Sequence, residues 1–299
     1  LEFRRVLFRS DGACAVDTLD LQAGYFEQSG GWLRVTNFSL PWGHQYQSFV
    51  QTGGRFQAEE VQQGDGWVNL PRLAVGPLDQ SSNNVHSYWL GAAGLRAGSL
   101  ELNEGSQFIQ MASAVLEVPY IKQSGGSNFI SVLSLGGSAP LPVTNLTVSG
   151  GTLDLDILDL KSRGTFTQNG GVVHARQFNQ QGGTFAGTFQ NTGTFNYSAG
   201  EFKGRLDNRG SVNWTGDLTL EDGLENHAPL TLNYGQHLTL NGRGLDNRST
   251  IVLNWGGRID GAGQANLEAN SGIFQWNGGI VDGAISVGDR KSTRLNSSH

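Results

Sequence analysis

A single cysteine, Cys14, excludes an internal disulfide framework and any zinc site built on thiolates. Charge is also scarce: Asp, Glu, Lys and Arg make up 15% of the chain, against roughly 25% in ordinary globular proteins. No apolar run approaches the ~18 residues that a spanning helix needs, so no membrane span is expected, and the sequence shows neither an initiating Met nor a signal peptide. His44, His86, His174, His227 and His237 are scattered without an i, i+4 pair or a neighbouring cysteine, a spacing that predicts no metal site. Nucleophile-elbow, P-loop and dinucleotide-binding signatures are missing, and the glycine-rich stretches lack the following helix that phosphate-cradling loops require. The expectation is therefore a chain with no catalytic, cofactor-binding or metal-ligating set and no cofactor.

The two ends differ from the rest. Residues 1–10 (LEFRRVLFRS) and 289–299 (DRKSTRLNSSH) are basic, lack the glycine rhythm and resemble translated adapter sequence of the kind found at the ends of metagenomic assemblies. We expect both to be foreign tails around a single fragment, 11–288. Setting them aside removes six of the 20 basic and two of the 26 acidic residues and leaves 14 against 24, a net charge of about −10. An acidic body argues against nucleic acid and anionic membrane as partners, since both are bound mainly through Lys and Arg.

What the chain has in excess is glycine, 44 of 299 residues, about twice the usual ~7%, and repetition. Asn213-Trp214, Asn233-Tyr234, Asn254-Trp255 and Gln275-Trp276 recur at an almost fixed interval of about 20 residues. Each has an apolar residue two before the aromatic (Val212, Leu232, Leu253, Phe274) and another four after it (Leu218, Leu238, Ile259, Ile280). A steady period without helical punctuation predicts a solenoid, one turn per repeat. Within a turn, apolar and polar residues alternate with period two, as in strands. By that parity Val212, Trp214, Leu218 and Leu220 face inward, as do Leu232, Tyr234, Leu238 and Leu240. Stacking such turns gives an all-β parallel β-helix (β-solenoid) with turns of about 17–23 residues. On that basis Asn213, Asn233, Asn254 and Gln275 form an outer amide ladder while the rings stack inside. A second Asn file, Asn208, Asn226 and Asn247, suits a corner. The length allows roughly thirteen to fifteen turns and a monomeric rod of roughly 60 to 70 Å at ~4.8 Å per turn.

The first half uses a related phrase, apolar-x-Gln-x-Gly-Gly: Phe26–Gly31 (FEQSGG), Phe49–Gly54 (FVQTGG), Ile121–Gly126 (IKQSGG), Phe166–Gly171 (FTQNGG) and Phe178–Gly183 (FNQQGG). Phe274–Gly279 (FQWNGG) aligns with it, so Gln and the later aromatics share a column, Gln180, Tyr197, Trp214, Tyr234, Trp255, Trp276. Many phrases are followed by a strand ending apolar-x-apolar-Gly, as at Leu73–Gly76, Leu133–Gly136 and Ile285–Gly288. Pro77–His86 (PLDQSSNNVH) is expected to protrude as a loop, and Ser138–Pro142 (SAPLP) is a second break.

With trailing phrases such as LSLGG and AISVG, these repeats resemble secreted bacterial surface proteins. The similarity is to autotransporter passenger domains with autotransporter-associated β-strand repeats, and more distantly to filamentous haemagglutinin-like adhesins. The resemblance covers most of Gly24–Gly288 and implies a secreted or bacterial cell-surface protein, associated with the outer membrane. It implies a non-enzymatic, elongated stalk or adhesin-like function, with glycans or a host or neighbouring cell surface as partners. Such repeats recur in proteins of different tasks.

The alternative is a carbohydrate-active β-helix enzyme, a polysaccharide lyase or hydrolase, or a glycan-binding module. Leu153–Arg163 (LDLDILDLKSR) is the best match to an enzyme groove, with Asp154 and Asp156 on one face, Asp159 following and Lys161 and Arg163 as partners. The plain reading is a strand with solvated carboxylates that keep its outside soluble. Glu59-Glu60 and Glu221-Asp222, adjacent in sequence, are expected to point to opposite faces as surface charge. Tyr234, Trp255 and Trp276 would offer a strip for sugar rings if they faced outward; parity places them in the core.

Overall fold

The computed structural model describes residues 5–8, 13–22, 24–41, 48–76, 84–137, 144–241, 244–261, 267–268 and 272–282. Regular structure among them is entirely β, and the chain folds as a parallel β-solenoid of about 11 turns. It divides into two compact units, residues 1–156 with 168–172, and 157–167 with 173–299. Residues 5–8 form a strand that pairs with Tyr25–Gln28; residues 289–299 lie outside the described part.

In the first unit Phe26, Phe49, Val68, Leu95 and Leu116 follow one another in register. The steps are unequal, shortest from Phe49 to Val68 and longest from Val68 to Leu95. Leu73, Leu100, Ile121 and Leu146 form a second file, again with its longest step first. The longest turns exceed the expected range, which is why the coils are fewer than expected. Both of the longest steps span the stretch 77–86, expected to protrude as a loop. Of it, 77–83 lie outside the described residues and 84–86 begin the strand Asn84–Leu90. Residues 138–143 and 283–288 also lie outside.

The second unit is more regular. Phe178, Phe195 and Val212 follow at equal intervals, and Leu218, Leu238 and Ile259 at nearly equal ones. Leu206, Leu224 and Leu245 make a third file. The core is aromatic at one end and leucine-rich at the other. Phe178 stacks on Phe195 at 5.1 Å and Phe185 on Phe202 at 4.6 Å. Each such buried ring contributes about 1.5–3 kcal/mol by burial, with about 0.5–1.5 kcal/mol more for a well-placed pair.

Long strands do not keep strict alternation. In Trp32–Leu40 the buried residues are Leu33, Val35, Phe38 and Leu40; in Arg55–Gln63 they include Phe56, Ala58, Val61 and Gln63; in Thr152–Leu160, Leu153, Leu155, Leu158 and Leu160. Two consecutive residues turn outward at the middle of each strand, which lets the chain bend at a corner while both halves keep apolar side chains inside. This corrects one expectation: Glu59 and Glu60 are both exposed at such a corner, not on opposite faces, and Glu221 and Asp222 are both exposed in a turn.

The Gln-x-Gly-Gly phrases make a different corner. Gln28, Gln51, Gln123 and Gln180 of these phrases are buried, as is Gln63 before the related turn Gly64-Asp65-Gly66. Each amide reaches a backbone carbonyl at or beside a glycine turn, as in Gln51 Nε2 to Gly54 O at 3.1 Å, Gln63 Nε2 to Gly94 O at 2.9 Å and Gln28 Nε2 to Arg55 O at 2.8 Å. Gly54 adopts φ +77°, and a Cβ there would lie 2.4 Å from the carbonyl oxygen of Gly31 one turn away. Stacked glycine turns leave no room for a side chain, and their left-handed backbone favours glycine independently.

Candidate functional site

The aromatic column splits where the glycine moves. Gln180, Tyr197 and Trp214 lie in register on successive coils, and all are buried, Trp214 to 5% exposure. Tyr234 and Trp255 leave the column: each is 74% exposed. Trp214 is the last residue of its strand, Ser211–Trp214, whereas the later strands stop at Leu232 and Leu253, short of the ring. The aromatic there becomes the second residue of a tight turn. Gln236 N donates to Asn233 O and Gly257 N to Asn254 O, each at 3.0 Å, across Gly235 and Gly256, both at φ +76°. A positive φ at the third turn position favours glycine, and the turn swings the preceding side chain out of the strand. Trp214 stands two residues before its positive-φ glycine, Gly216, while Tyr234 and Trp255 stand one before theirs. The inward placement of Tyr234 and Trp255 by parity is thus corrected by turn geometry.

Leu232 and Leu253 take the vacated inner positions in register, and the next residue of that file is Trp276, with Phe274 opposite Ile251. Of the apolar residues two before each aromatic, Leu232 and Leu253 do stack in one file, whereas Phe274 sits two residues out of step with it. Trp276 is 44% exposed.

A common chemistry explains why Gln, Tyr and Trp exchange at this corner. Gln51, Gln63, Gln168, Tyr197 and Trp276 each donate a side-chain hydrogen bond to the carbonyl of a glycine three residues on, at 2.7 to 3.3 Å. The position selects an N–H or O–H at the tip of a long side chain, not hydrophobicity alone. Trp214 has Asp217 three residues on, and its indole N–H has no partner.

Outside, Tyr234 and Trp255 stack at 5.5 Å with their planes 15° apart, beside an amide ladder that runs Asn277 to Asn254 to Asn233, each step 2.9 Å. Asn277 replaces the expected Gln275 because Gln275 pairs with Val252 in the strand. Asn213 belongs to another ladder, Asn213 to Asn196 to Asn179 to the Asp159 carboxylate, at 3.0, 2.8 and 2.7 Å.

The carboxylates of the acidic strand have separate partners. Asp156 accepts from Ser131 Oγ at 2.9 Å, within the first unit. In the second, Asp159 accepts from Asn179 and stands 4.0 Å from Lys161 Nζ, while Arg163 occupies an exposed turn at φ 69°. Asp154 is half-buried on the outer face. Asp156 and Asp159 thus tie their strand to neighbouring coils. Among the described residues no group of three or more His, Cys, Asp or Glu side chains is arranged to hold a metal. His44 lies outside the described residues; ring nitrogens of His227 and His237 lie 2.8 and 2.7 Å from carboxylate oxygens of Glu225 and Asp217. Cys14 is half-buried and unpaired with another cysteine. No helix of the described residues is long and apolar enough to cross a membrane.

Sequence reading missed a charged rail. The phrase Leu-(Asp/Glu)-Asn-(Arg/His) at 206–209, 224–227 and 245–248 places Asp207, Glu225 and Asp246 in register, with Arg209, His227 and Arg248 two residues on. Arg209 bonds Asp207 at 3.1 Å and Arg248 bonds Asp246 at 2.8 Å, with Arg248 also 3.5 Å from Glu225. Burial pushes the Asp207 carboxyl up, but hydrogen bonds from Arg209 and Gln190 and the positive charges of Arg209 and His227 outweigh it and hold it below the ordinary carboxylate range. The repeated phrase was the available signal, since like charges stacked a coil apart require interleaved cations.

No family model, curated protein or solved structure matches this chain.

Tyr234 and Trp255 are the most exposed large apolar side chains among the described residues. Two large rings left in water cost hydrophobic free energy and contribute little to the fold that a polar turn residue would not.

Proposed function

We propose that this chain is a non-enzymatic β-solenoid module of an exported bacterial surface protein, of the autotransporter-passenger kind, acting as an elongated adhesin-like stalk that contacts glycans or a neighbouring cell surface. The observation that carries the reading is the outward stack of Tyr234 and Trp255 beside a coil-to-coil amide ladder. Aromatic rings with a polar rim suit sugar rings, which pair apolar C–H faces with hydroxyls. The repeats supply length instead of chemistry, because stability accumulates turn by turn.

Two measurements test the reading. Deleting residues 230–250 removes one register period and brings Ile251 into the place of Leu230, its partner in the neighbouring coil. The product should remain a folded β protein by circular dichroism; loss of all structure would contradict a modular stalk. On a glycan array the intact chain should bind, and Trp255→Ala should bind less; equal binding by both defeats the ledge as the contact. Polysaccharide cleavage by the parent that disappears in Asp156→Ala would instead establish the enzyme.

A further inference from the structure

The outer face of the first unit carries a second surface of different make. Three strands lie side by side there, Arg55–Gln63, Asn84–Leu90 and Gln107–Gln110. Their outward residues, continued onto the flanking strands Trp32–Leu40 and Ser127–Leu135, fall into two parallel files. One is polar: Asn37, Glu60, Ser87, Gln107. The other begins polar and turns apolar: Ser39, Gln62, Trp89, Ile109, Phe129. A depression of about 430 Å³ lies along them, lined by Glu60, Gln62, Ser87, Trp89, Gln107 and Ile109. Ile109 is 40% exposed, and Trp89 and Phe129 are half-buried. Tyr88, between Ser87 and Trp89, points the other way into the core, where its hydroxyl donates to Gln63 Oε1.

An outward file that is apolar in three successive coils is out of keeping with the solubility of an exposed sheet, where that position is ordinarily polar. Neighbouring coils are ~4.8 Å apart, and residues i and i+2 in a strand roughly 6.6 Å. The two files therefore form a track about as wide as one pyranose ring, apolar along one side and hydrogen-bonding along the other. Charge selects among ligands. Glu60 is the only charged residue of the lining, and Gln62 Nε2 donates to its carboxylate at 2.7 Å. With no Lys or Arg in the lining, sulfated or uronate glycans gain no counter-charge and meet a carboxylate. Sugar hydroxyls, by contrast, can donate to Glu60 and exchange bonds with the amides of Gln62 and Gln107.

We infer that this depression binds a neutral glycan, which lies along the coils with its C–H faces against Trp89 and Ile109 and its hydroxyls toward Glu60, Ser87 and Gln107. The inference rests on the adhesin reading for its ligand class, but the site is distinct from the Tyr234–Trp255 ledge.

The test is titration calorimetry of the intact chain with cellohexaose, maltohexaose and the hexamer of N-acetylglucosamine, with a heparin hexasaccharide as the anionic comparator. At least one neutral hexasaccharide should bind. Trp89→Ala should weaken it about 10-fold, the equivalent of one strong aromatic contact, and Trp89→Phe should restore most of the loss, which separates ring contact from misfolding. Gln107→Ala should weaken it less. Tyr120→Ala, at an exposed ring outside the lining, should leave this binding unchanged. Binding that survives Trp89→Ala but falls in Trp255→Ala removes this site and leaves the adhesin reading standing. Failure of all three neutral glycans, or preference for heparin, overturns the inference.

Discussion

The two units meet the same demand in opposite ways. Every coil must satisfy backbone groups where it turns, because buried unpaired polar groups are costly. In the first unit the answer is a side chain bonded to backbone: a buried Gln reaches a carbonyl of its own turn, as at Gln110, or of the next coil, as at Gln28 and Gln123, and the Oε1 of all three is left without a protein partner. In the second, Asn191, Asn208, Asn226 and Asn247 bond to one another in a buried file, each Nδ2 to the next Oδ1 at 2.9 Å, and the last closes on Ser249 O at 3.0 Å. A Gln corner tolerates turns of changing length, because its amide needs only a backbone carbonyl, in its own turn or on the next coil, and every residue supplies one. An Asn ladder demands steadier spacing, because each amide needs its neighbour. This accounts for the wider spread of step lengths in the first unit than along the files of the second.

Breaking each corner should expose the difference. Gly54→Ala places a Cβ 2.4 Å from a backbone oxygen at φ +77°, and neither backbone can yield without parting two coils. We expect a loss of about 4 kcal/mol or more in urea unfolding, or an insoluble product; a loss under about 1 kcal/mol would mean that the glycine turns are not closely stacked. Asn226→Ala cuts two ladder bonds, stranding Asn208 Nδ2 in the interior and leaving Asn247 Oδ1 only the Ser249 N–H. That should cost about 2–4 kcal/mol. Asn191→Ala, at the end of the file, should cost less, and equal losses would show that the ladder is not a connected unit.

How far these features were legible follows from the range of the interaction responsible. The Gln-Gly-Gly corner is readable because its residues lie within one short phrase, and the Asn208, Asn226, Asn247 file because identical residues recur at the coil period. Parity failed at Glu59-Glu60, since two outward residues in a row are a property of a bent strand that alternation alone does not encode. It failed again at Tyr234 and Trp255, where a one-residue shift of glycine relative to the aromatic moves a ring from core to solvent. That shift was visible in the sequence, as Trp-Thr-Gly against Tyr-Gly and Trp-Gly, but its meaning depends on turn type. The face built from Trp89, Ile109 and Phe129 was not legible, because side chains a whole coil apart in sequence come together only once the register is known.

The charged rail of the second unit has no counterpart among these Gln corners and should make its stability depend on acid. The Asp207 carboxyl is held below the ordinary range in the folded state, so the unfolded chain binds its proton first. Its contribution is fully present above the ordinary carboxylate pKa of about 3.9 and is lost as pH falls through the lower folded value. In urea titrations across that window, the parent's advantage over Asp207→Asn should shrink steadily toward acid. An advantage independent of pH would show that Asp207 acts through packing and not through its charge.

The smallest effect expected is at the most conspicuous side chain. Trp255 is 74% exposed and touches chiefly Tyr234, through one offset stack at 5.5 Å. Its neighbour in the turn, Gly256, and the ladder amide Asn254 set the backbone independently of the indole. Trp255→Ala should therefore change stability by no more than about 1 kcal/mol while lowering the acrylamide-accessible indole fluorescence, to which buried Trp214 contributes little. Trp214→Phe should do the reverse, sparing quenching and costing more stability. If Trp255→Ala instead destabilised the chain as much as Asn226→Ala, the ring would be a structural member of the coil, and its exposure would no longer argue for a ligand.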